Sequence, residues 1–340
     1  MTITDLEKDL KETKLNSLYL LYGEEVFLLE SNLKKIKKLF GEIVPGINYI
    51  QIDDANINNL ISDIETPSFG YEKKLIIVKN SGLFKKEGKR KSVKITELKE
   101  KVAEYFKKNI SDIKEYNLVV FIEEDIEKNA LYKIIDKEGI VCNFEKLKPA
   151  DIIKRLKAIF NAYKVNIDNE TLKYLIEECG TSMQDLINES RKLIEYAGEN
   201  GTVKKQDVDL LCIKQIEAVI FTLTDSLGKK DIASAMQTLK NLIYNKEPIQ
   251  KILITLYNHF KKLYFTKIAI EQNLNLAEAL DLKPNTLFLA GKYKTQALYF
   301  KTEELKKILE ELILLDQNSK IGLIDVNIGL ESILARYCSW

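Results

Sequence analysis

The stretch Leu18-Tyr19-Leu20-Leu21-Tyr22-Gly23-Glu24-Glu25-Val26-Phe27-Leu28-Leu29-Glu30 decides the fold of the first part of the chain. Five apolar residues in a row, without polar alternation, describe a strand covered on both faces. Gly23 breaks that run, and an amphipathic helix is expected over residues 25–40. A buried strand passing through a glycine turn into a helix is where a phosphate-binding loop sits in an α/β domain. The working loop needs G-x-x-x-x-G-K-[ST], because backbone N–H groups wrap the phosphates, the lysine neutralises them and the hydroxyl holds magnesium. Here a single Gly23 is followed by Glu24 and Glu25, with no second glycine and no lysine before the helix. Two carboxylates suit the positive end of a helix but repel a triphosphate. The unit has the layout of a nucleotide-binding motif and lacks its working parts.

Outward from this unit, further apolar runs at residues 49–52, 74–78, 118–122 and 140–144 join the first at 17–22. Helical patterns at residues 57–64, 94–108 and 129–137 lie between them. Strands alternating with helices predict a doubly wound, mainly parallel α/β domain over residues 1–147. Beyond Pro149 no strand is expected. Helices at 148–163, 169–179 and 182–197, with Asp168 and Ser182 as N-caps and Gly180 and Gly198 at the C-termini, form a small helical domain over residues 148–212. An Asn200-Gly201 turn and a short helix from Lys204 close it. Amphipathic stretches at 218–227, 231–244, 249–272, 302–315 and 322–337 predict a larger helical domain over residues 213–340. The expected class is α/β plus all-α.

Composition narrows the function. The chain has 340 residues, 45% hydrophobic and 30% charged, with 52 Lys plus Arg against 51 Asp plus Glu. A net charge of +1 argues against a protein that coats DNA. Only Arg90, Arg155, Arg191 and Arg336 are arginines, which leaves few candidates for a γ-phosphate finger. Cys142, Cys179, Cys212 and Cys338 are scattered, with no C-x-x-C, and read as buried or idle thiols in a reducing cytoplasm. His259 is the sole histidine, so a Ser-His-Asp triad would have to be built on it alone and a multi-histidine metal site is excluded. Residues 1–10 are polar, without the apolar core of a signal peptide, and no run approaches membrane-spanning length. No cofactor, no resident metal and no membrane partner are expected, and the location expected is cytoplasmic.

Three further segments carry candidate chemistry. Gly82-Leu83-Phe84-Lys85-Lys86-Glu87-Gly88-Lys89-Arg90 superficially resembles a phosphate loop, but has five residues between its glycines and arginine in place of the hydroxyl residue. Its Lys85, Lys86, Lys89 and Arg90, with Lys91 and Lys94, form the densest basic run, a solvated loop with a minor reading as a contact for DNA backbone. The strand 118–122 followed by Glu123, Glu124 and Asp125 resembles a magnesium-holding strand, but has no phosphate loop to serve. Thr66-Pro67-Ser68-Phe69-Gly70 presents Phe69 on a tight turn; such a residue either folds back onto the core or is an apolar plug for a partner's pocket.

Together these segments resemble the δ subunit family of bacterial DNA polymerase III, whose members open the sliding clamp within the clamp loader. The opening residues 18–25 with Phe27 and Leu28 are similar to the family's first signature. Thr66–Gly70, followed by basic and then apolar residues 73–78, resembles its clamp-contacting turn. Asn188-Glu189-Ser190-Arg191-Lys192-Leu193 resembles its middle-domain Glu-x-x-Lys-Leu segment. Ile220, Phe221, Leu223 and Asp225, then Asp316 through Gly322, resemble elements of its C-terminal domain.

The resemblance implies an AAA+-like α/β domain without ATPase activity, a helical lid and a helical collar. It implies no catalytic activity of its own within a DNA polymerase holoenzyme. The implied partners are the β sliding clamp, the γ/τ and δ′-type loader subunits through the collar, and primed DNA within the complex. Thr66, Pro67, Ser68 and Phe69 would contact the clamp, with Phe69 inserted in a hydrophobic pocket so that one ring interface opens. Family members often carry a second bulky apolar residue where this chain has Ser68. That difference implies a weaker contact, or one that draws on Ile64 or Tyr71. Two other readings compete: an ATPase-inactive AAA+-like adaptor without clamp contact, and a nucleotide hydrolase built on the loop at 82–90.

Overall fold

A computed structural model describes residues 1–85 and 93–338. The chain divides into two units, Met1–Lys146 and Leu147–Trp340.

The first unit is built on a five-stranded sheet of β1 (Leu18–Tyr22), β2 (Tyr49–Ile52), β3 (Lys74–Lys79), β4 (Asn117–Glu123) and β5 (Ile140–Asn143), in the order β2-β3-β4-β1-β5. Every pairing is parallel: Leu18 faces Val119, Tyr19 faces Ile140, and Lys74 faces Asn117. Leu18, Leu20, Ile76, Val78, Val119 and Phe121 point into one core. The alternate residues Tyr19, Leu21, Leu75, Ile77 and Val120 are also fully buried, as a sheet covered on both faces requires. The helices are α1 (Ile3–Lys11), α2 (Val26–Phe40), α3 (Leu60–Glu65, entered through a 3₁₀ turn at Ile57–Asn59), α4 (Val93–Lys108), α5 (Ile110–Tyr116) and α6 (Ala130–Glu138).

Two of these helices depart from the sequence reading. The polar opening segment is α1, started by a capping box in which Thr2 and Asp5 bond each other's backbone, and it buries Ile3, Leu6 and Leu10. The second is α5, a short helix between α4 and β4 that buries Ile113.

The second unit is nearly all helix: α7 (Pro149–Ala162), α8 (Asn169–Cys179), α9 (Met183–Ala197), α10 (Lys205–Leu211), α11 (Ile216–Gly228), α12 (Ile232–Tyr244), α13 (Ile249–Glu271), α14 (Leu276–Ala279), α15 (Leu289–Ala297), α16 (Thr302–Lys320) and α17 (Val326–Cys338). The Asp168 and Ser182 side chains cap α8 and α9, and Gly180 and Gly198 end those helices with positive φ. The expectation of no strand here needs correction. Two-residue strands β6 (Asn166–Ile167) and β7 (Thr202–Val203) pair in parallel, brought together by the Asn200-Gly201 turn, where the Asn200 N–H donates to Lys164 O at 2.9 Å. A separate apolar core runs through the later helices, from Ile216 and Ile220 to Leu330 and Tyr337. No described helix is long and apolar enough to cross a membrane.

Candidate functional site

In an open parallel sheet, ligands settle beyond the carboxyl ends of the strands where the strand order reverses, which here is the mouth beside β1. In this chain that mouth is closed by its own backbone. The Gly23 N–H donates to Glu123 O at 3.2 Å and the Glu25 N–H to Phe144 O at 2.8 Å, so two amides of the loop are bonded to neighbouring strand ends. The Phe144 N–H in turn reaches Tyr22 O at 2.6 Å. Gly23 has φ +128°, and a Cβ there would lie 2.4 Å from Phe144 O, so this position requires glycine. Glu24 pairs with Lys146 at 3.3 Å. At the end of β4, Glu123 is buried and accepts from the Ser81 N–H at 2.9 Å and the Ser81 hydroxyl at 2.5 Å, while Glu124 and Asp125 are exposed. Burial raises the Glu123 pKa against the lowering effect of those bonds. The acidic strand end is a tie to the loop after β3.

The turn at Thr66–Gly70 lies at the opposite edge of the same sheet, before the amino end of β3. Helix α3 stops because Pro67 forces Thr66 out of the helical region, to φ −68° and ψ 129°. The Thr66 hydroxyl donates back to Ser62 O at 2.7 Å. The turn is then closed twice between the same residues: the Tyr71 N–H donates to Ser68 O at 2.8 Å and the Ser68 hydroxyl to Tyr71 O at 2.7 Å. Gly70, at φ +83°, supplies the third position that only glycine takes readily. Phe69 is thrown outward with 73% of its surface exposed, while Thr66 and Pro67 are exposed beside it and Ser68 is half-buried. No rearrangement is needed to bare the phenyl ring.

Behind the turn stands Lys74, the first residue of β3. Its side chain is fully buried and its ammonium donates to Asp63 O at 2.7 Å and also to Thr66 O, capping the carboxyl end of α3. Burial lowers its pKa, opposed by the nearby Asp63. Asn117 at the start of β4 adds a bond to Ile64 O at 3.4 Å. Two adjacent strands therefore grip the last turn of α3, which leads into the turn bearing Phe69.

A groove of about 630 Å³ opens beside the turn, lined by Thr66–Tyr71, Tyr105, Asn109 and Tyr116. The Tyr105 phenol is pushed up to about 12 by burial and by Glu65. Tyr116, at the end of α5, is 56% exposed and is an aromatic that the sequence reading missed along with its helix. The Ile110 and Ile113 spacing was the available signal. Of the residues expected to supplement Phe69, Ile64 is buried in the core and Tyr71 is half-buried. Ile64 is therefore unavailable to a partner while α3 stays folded. Of the basic run, Lys85 is exposed, whereas Lys86, Lys89, Arg90 and Lys91 lie outside the described residues, as does the Lys94 side chain.

The remaining segments hold structure together. Lys192 pairs with Glu189 at 2.6 Å, and Lys320 with Asp316 at 2.6 Å. Asp225 accepts from Gln296 at 2.6 Å, and Gln296 in turn meets the buried His259 at 2.5 Å.

Comparison with known proteins places these features. The family model described as DNA polymerase III, delta subunit, matches residues 19–145, and the model for the C-terminal domain of the same family matches residues 217–337. The chain belongs to the DNA polymerase III delta subunit family. It is 24% identical over 341 residues to DNA polymerase III subunit delta of Bacillus subtilis strain 168, covering 98% of this chain and 96% of the relative. It is 28% identical over 319 residues to the probable DNA polymerase III subunit delta of Aquifex aeolicus strain VF5, covering 91% and 87%. Among solved structures, the Bacillus subtilis DNA clamp loader delta protein shares the fold with a TM-score of 0.73 at 23% identity, over 99% of this chain and 100% of that one. The AAA+-like sheet with a helical remainder is thus the architecture of a delta family member, and the turn at Phe69 belongs to the part of the chain matched by the first family model.

Proposed function

We propose that this chain is the clamp-opening delta subunit of a DNA polymerase III clamp loader, and that it grips the β sliding clamp through the turn Thr66–Gly70. The observation that carries this reading is Phe69: a large apolar side chain, 73% exposed, on a turn braced by five hydrogen bonds from Thr66, Ser68, Tyr71 and Lys74. A partner's pocket that buried this ring would gain its transfer free energy, and a preformed turn spares the ordering cost on binding. Burying one Phe is worth about 1.5–3 kcal/mol, roughly ten- to a hundredfold in affinity. That suits one anchor within a larger contact. With Ser68 engaged in the turn and Ile64 buried, Tyr116 and Tyr71 are the neighbouring aromatics that could extend it.

In this reading the sealed mouth at Gly23 leaves ATP binding and hydrolysis to γ/τ-type partners, and the chain has no catalytic activity of its own. Residues 148–212 serve as the lid and 213–340 as the collar that assembles with γ/τ and δ′-type subunits around primed DNA in the cytoplasm. Lys85 and its basic neighbours are at most a secondary DNA contact. Binding of the purified chain to a purified sliding clamp tests the proposal, and Phe69→Ala should lose at least tenfold in affinity. A chain that ignores the clamp would instead be an AAA+-like adaptor. Tight magnesium-ATP binding that depends on Lys89 would revive a nucleotide site and overturn the inactive scaffold.

A further inference from the structure

In the unit Leu147–Trp340, three side chains converge whose chemistry clamp loading does not use. Cys179 is the last residue of α8, Glu189 lies within α9, and Cys212 follows the last turn of α10. One ligand atom from each lies within 4.8 Å of the other two, and the two thiols are in hydrogen-bond contact. Cys179 and Glu189 are buried, and Cys212 is half-buried, which leaves water a way in.

We propose that Cys179, Cys212 and Glu189 form a site for a thiophilic divalent cation of the zinc class, with water as the fourth ligand. Tetrahedral zinc–sulfur bonds of about 2.3 Å put two sulfurs roughly 3.8 Å apart, so the group needs only a small contraction. The surrounding bonds leave the carboxylate suitably disposed. Lys192 Nζ lies 2.6 Å from Glu189 Oε2, and the Ile213 N–H donates to that same oxygen at 2.9 Å. Both fall on Oε2, so Oε1 is the oxygen that turns to the cation, while Lys192 and Ile213 orient the carboxylate from behind.

The exchange also balances in charge. Two metal–sulfur bonds and one metal–oxygen bond form, and the two thiol protons leave to solvent. A dication replaces two protons, the Glu189–Lys192 pair stays neutral, and nothing is oxidised or reduced. A buried pocket that keeps its net charge escapes most of the penalty of taking up an ion.

The ligands come from three separate segments, so the cation would fasten residues 212–215 onto α8 and α9. That strap is already close-fitted. The Gln215 N–H donates to Glu178 O at 2.8 Å, and Lys214 bridges Glu178 and Asp209 at 2.7 Å each. A Cβ on Gly180 would lie 2.2 Å from the Gln215 side-chain oxygen.

The test uses full-length, tag-free protein held reduced with a phosphine, titrated with Zn²⁺ against a chromophoric chelator and with Co²⁺ by absorption. One equivalent should bind, with thiolate-to-cobalt charge-transfer bands, in the wild type and in Cys338→Ser. Cys179→Ser and Cys212→Ser should each lose those bands and weaken binding at least a hundredfold, and Glu189→Gln at least tenfold with the bands retained. Circular dichroism of each variant separates lost ligation from lost folding, and Cys212→Ser, at the half-buried position, is the variant expected to keep its fold. The proposal is overturned if the reduced wild type takes up no stoichiometric metal, or if Cys212→Ser binds as the wild type does. It is also overturned if the reduced chain binds no metal while oxidation removes two hydrogens between Cys179 and Cys212, making the pair a disulfide couple instead.

Discussion

The mouth at Gly23 and the turn at Phe69 stand at opposite edges of one sheet and are finished in opposite ways. At the carboxyl edge, the loop amides of Gly23 and Glu25 are bonded to Glu123 O and Phe144 O. At the amino edge, a comparable investment of hydrogen bonds from Thr66, Ser68, Tyr71 and Lys74 leaves an aromatic ring standing in water. The first region uses polar groups to tie strand ends together, and the second uses them to hold an aromatic side chain exposed.

The largest expected effect breaks the sealed edge. Gly23→Val sets a branched side chain against Phe144 O at a φ of +128°, and should cost about 3–5 kcal/mol in chemical denaturation of the full chain. A variant as stable as the wild type would mean that the mouth is not closed as described.

Next, Lys74→Met removes the cap on α3 and leaves two carbonyls unanswered, an expected loss of about 2–3 kcal/mol in the same assay. Because Lys74 grips the turn, clamp affinity should fall with it even though Lys74 is buried. If affinity is unmoved, the turn does not need its brace. Phe69→Ala sharpens the comparison from the other side. It should lower clamp affinity by about 1.5–3 kcal/mol while stability stays within about 0.5 kcal/mol, because an exposed ring gives the fold little. A matching loss of stability would place the ring in the core.

The smallest effect is titration at the mouth. Burial raises the Glu123 pKa above its ordinary value, so the folded chain holds that proton to higher pH than the unfolded chain does. Its contribution to stability is therefore present below the unfolded carboxylate range and is lost as pH rises through the folded pKa. The stability difference between wild type and Glu123→Gln should shift against the wild type across that acidic window, read from denaturation midpoints at several pH values. A shift in the opposite direction would mean that the Ser81 bonds outweigh burial.

The sheet was legible because its central strands β1, β3 and β4 contain continuous apolar runs, and a strand buried on both faces leaves that mark in the residues themselves. The long helices and the caps at Asp168 and Ser182 were legible for similar local reasons. What escaped was short or three-dimensional. Helix α1 is polar on most of its surface and α5 has seven residues, so neither gives a long periodic signal. The pairing of β6 with β7 involves two residues on each side. Phe69 was legible as an aromatic on a turn, but its direction was not: the same five residues could fold inward, and only the double closure between Ser68 and Tyr71 decides it. Lys74 reads in sequence as an ordinary charged residue opening a strand, and its role exists only because α3 ends above it.

The bonds from Lys74 and Asn117 to the end of α3 have a mechanical consequence. They tie the end of α3, at the base of the tip, to a parallel sheet whose strands, such as the six residues of β3, run roughly 20 Å to the far edge. A movement of the sheet would therefore carry the base of the Phe69 turn with it, because the end of α3 is bonded to two of the sheet's strands.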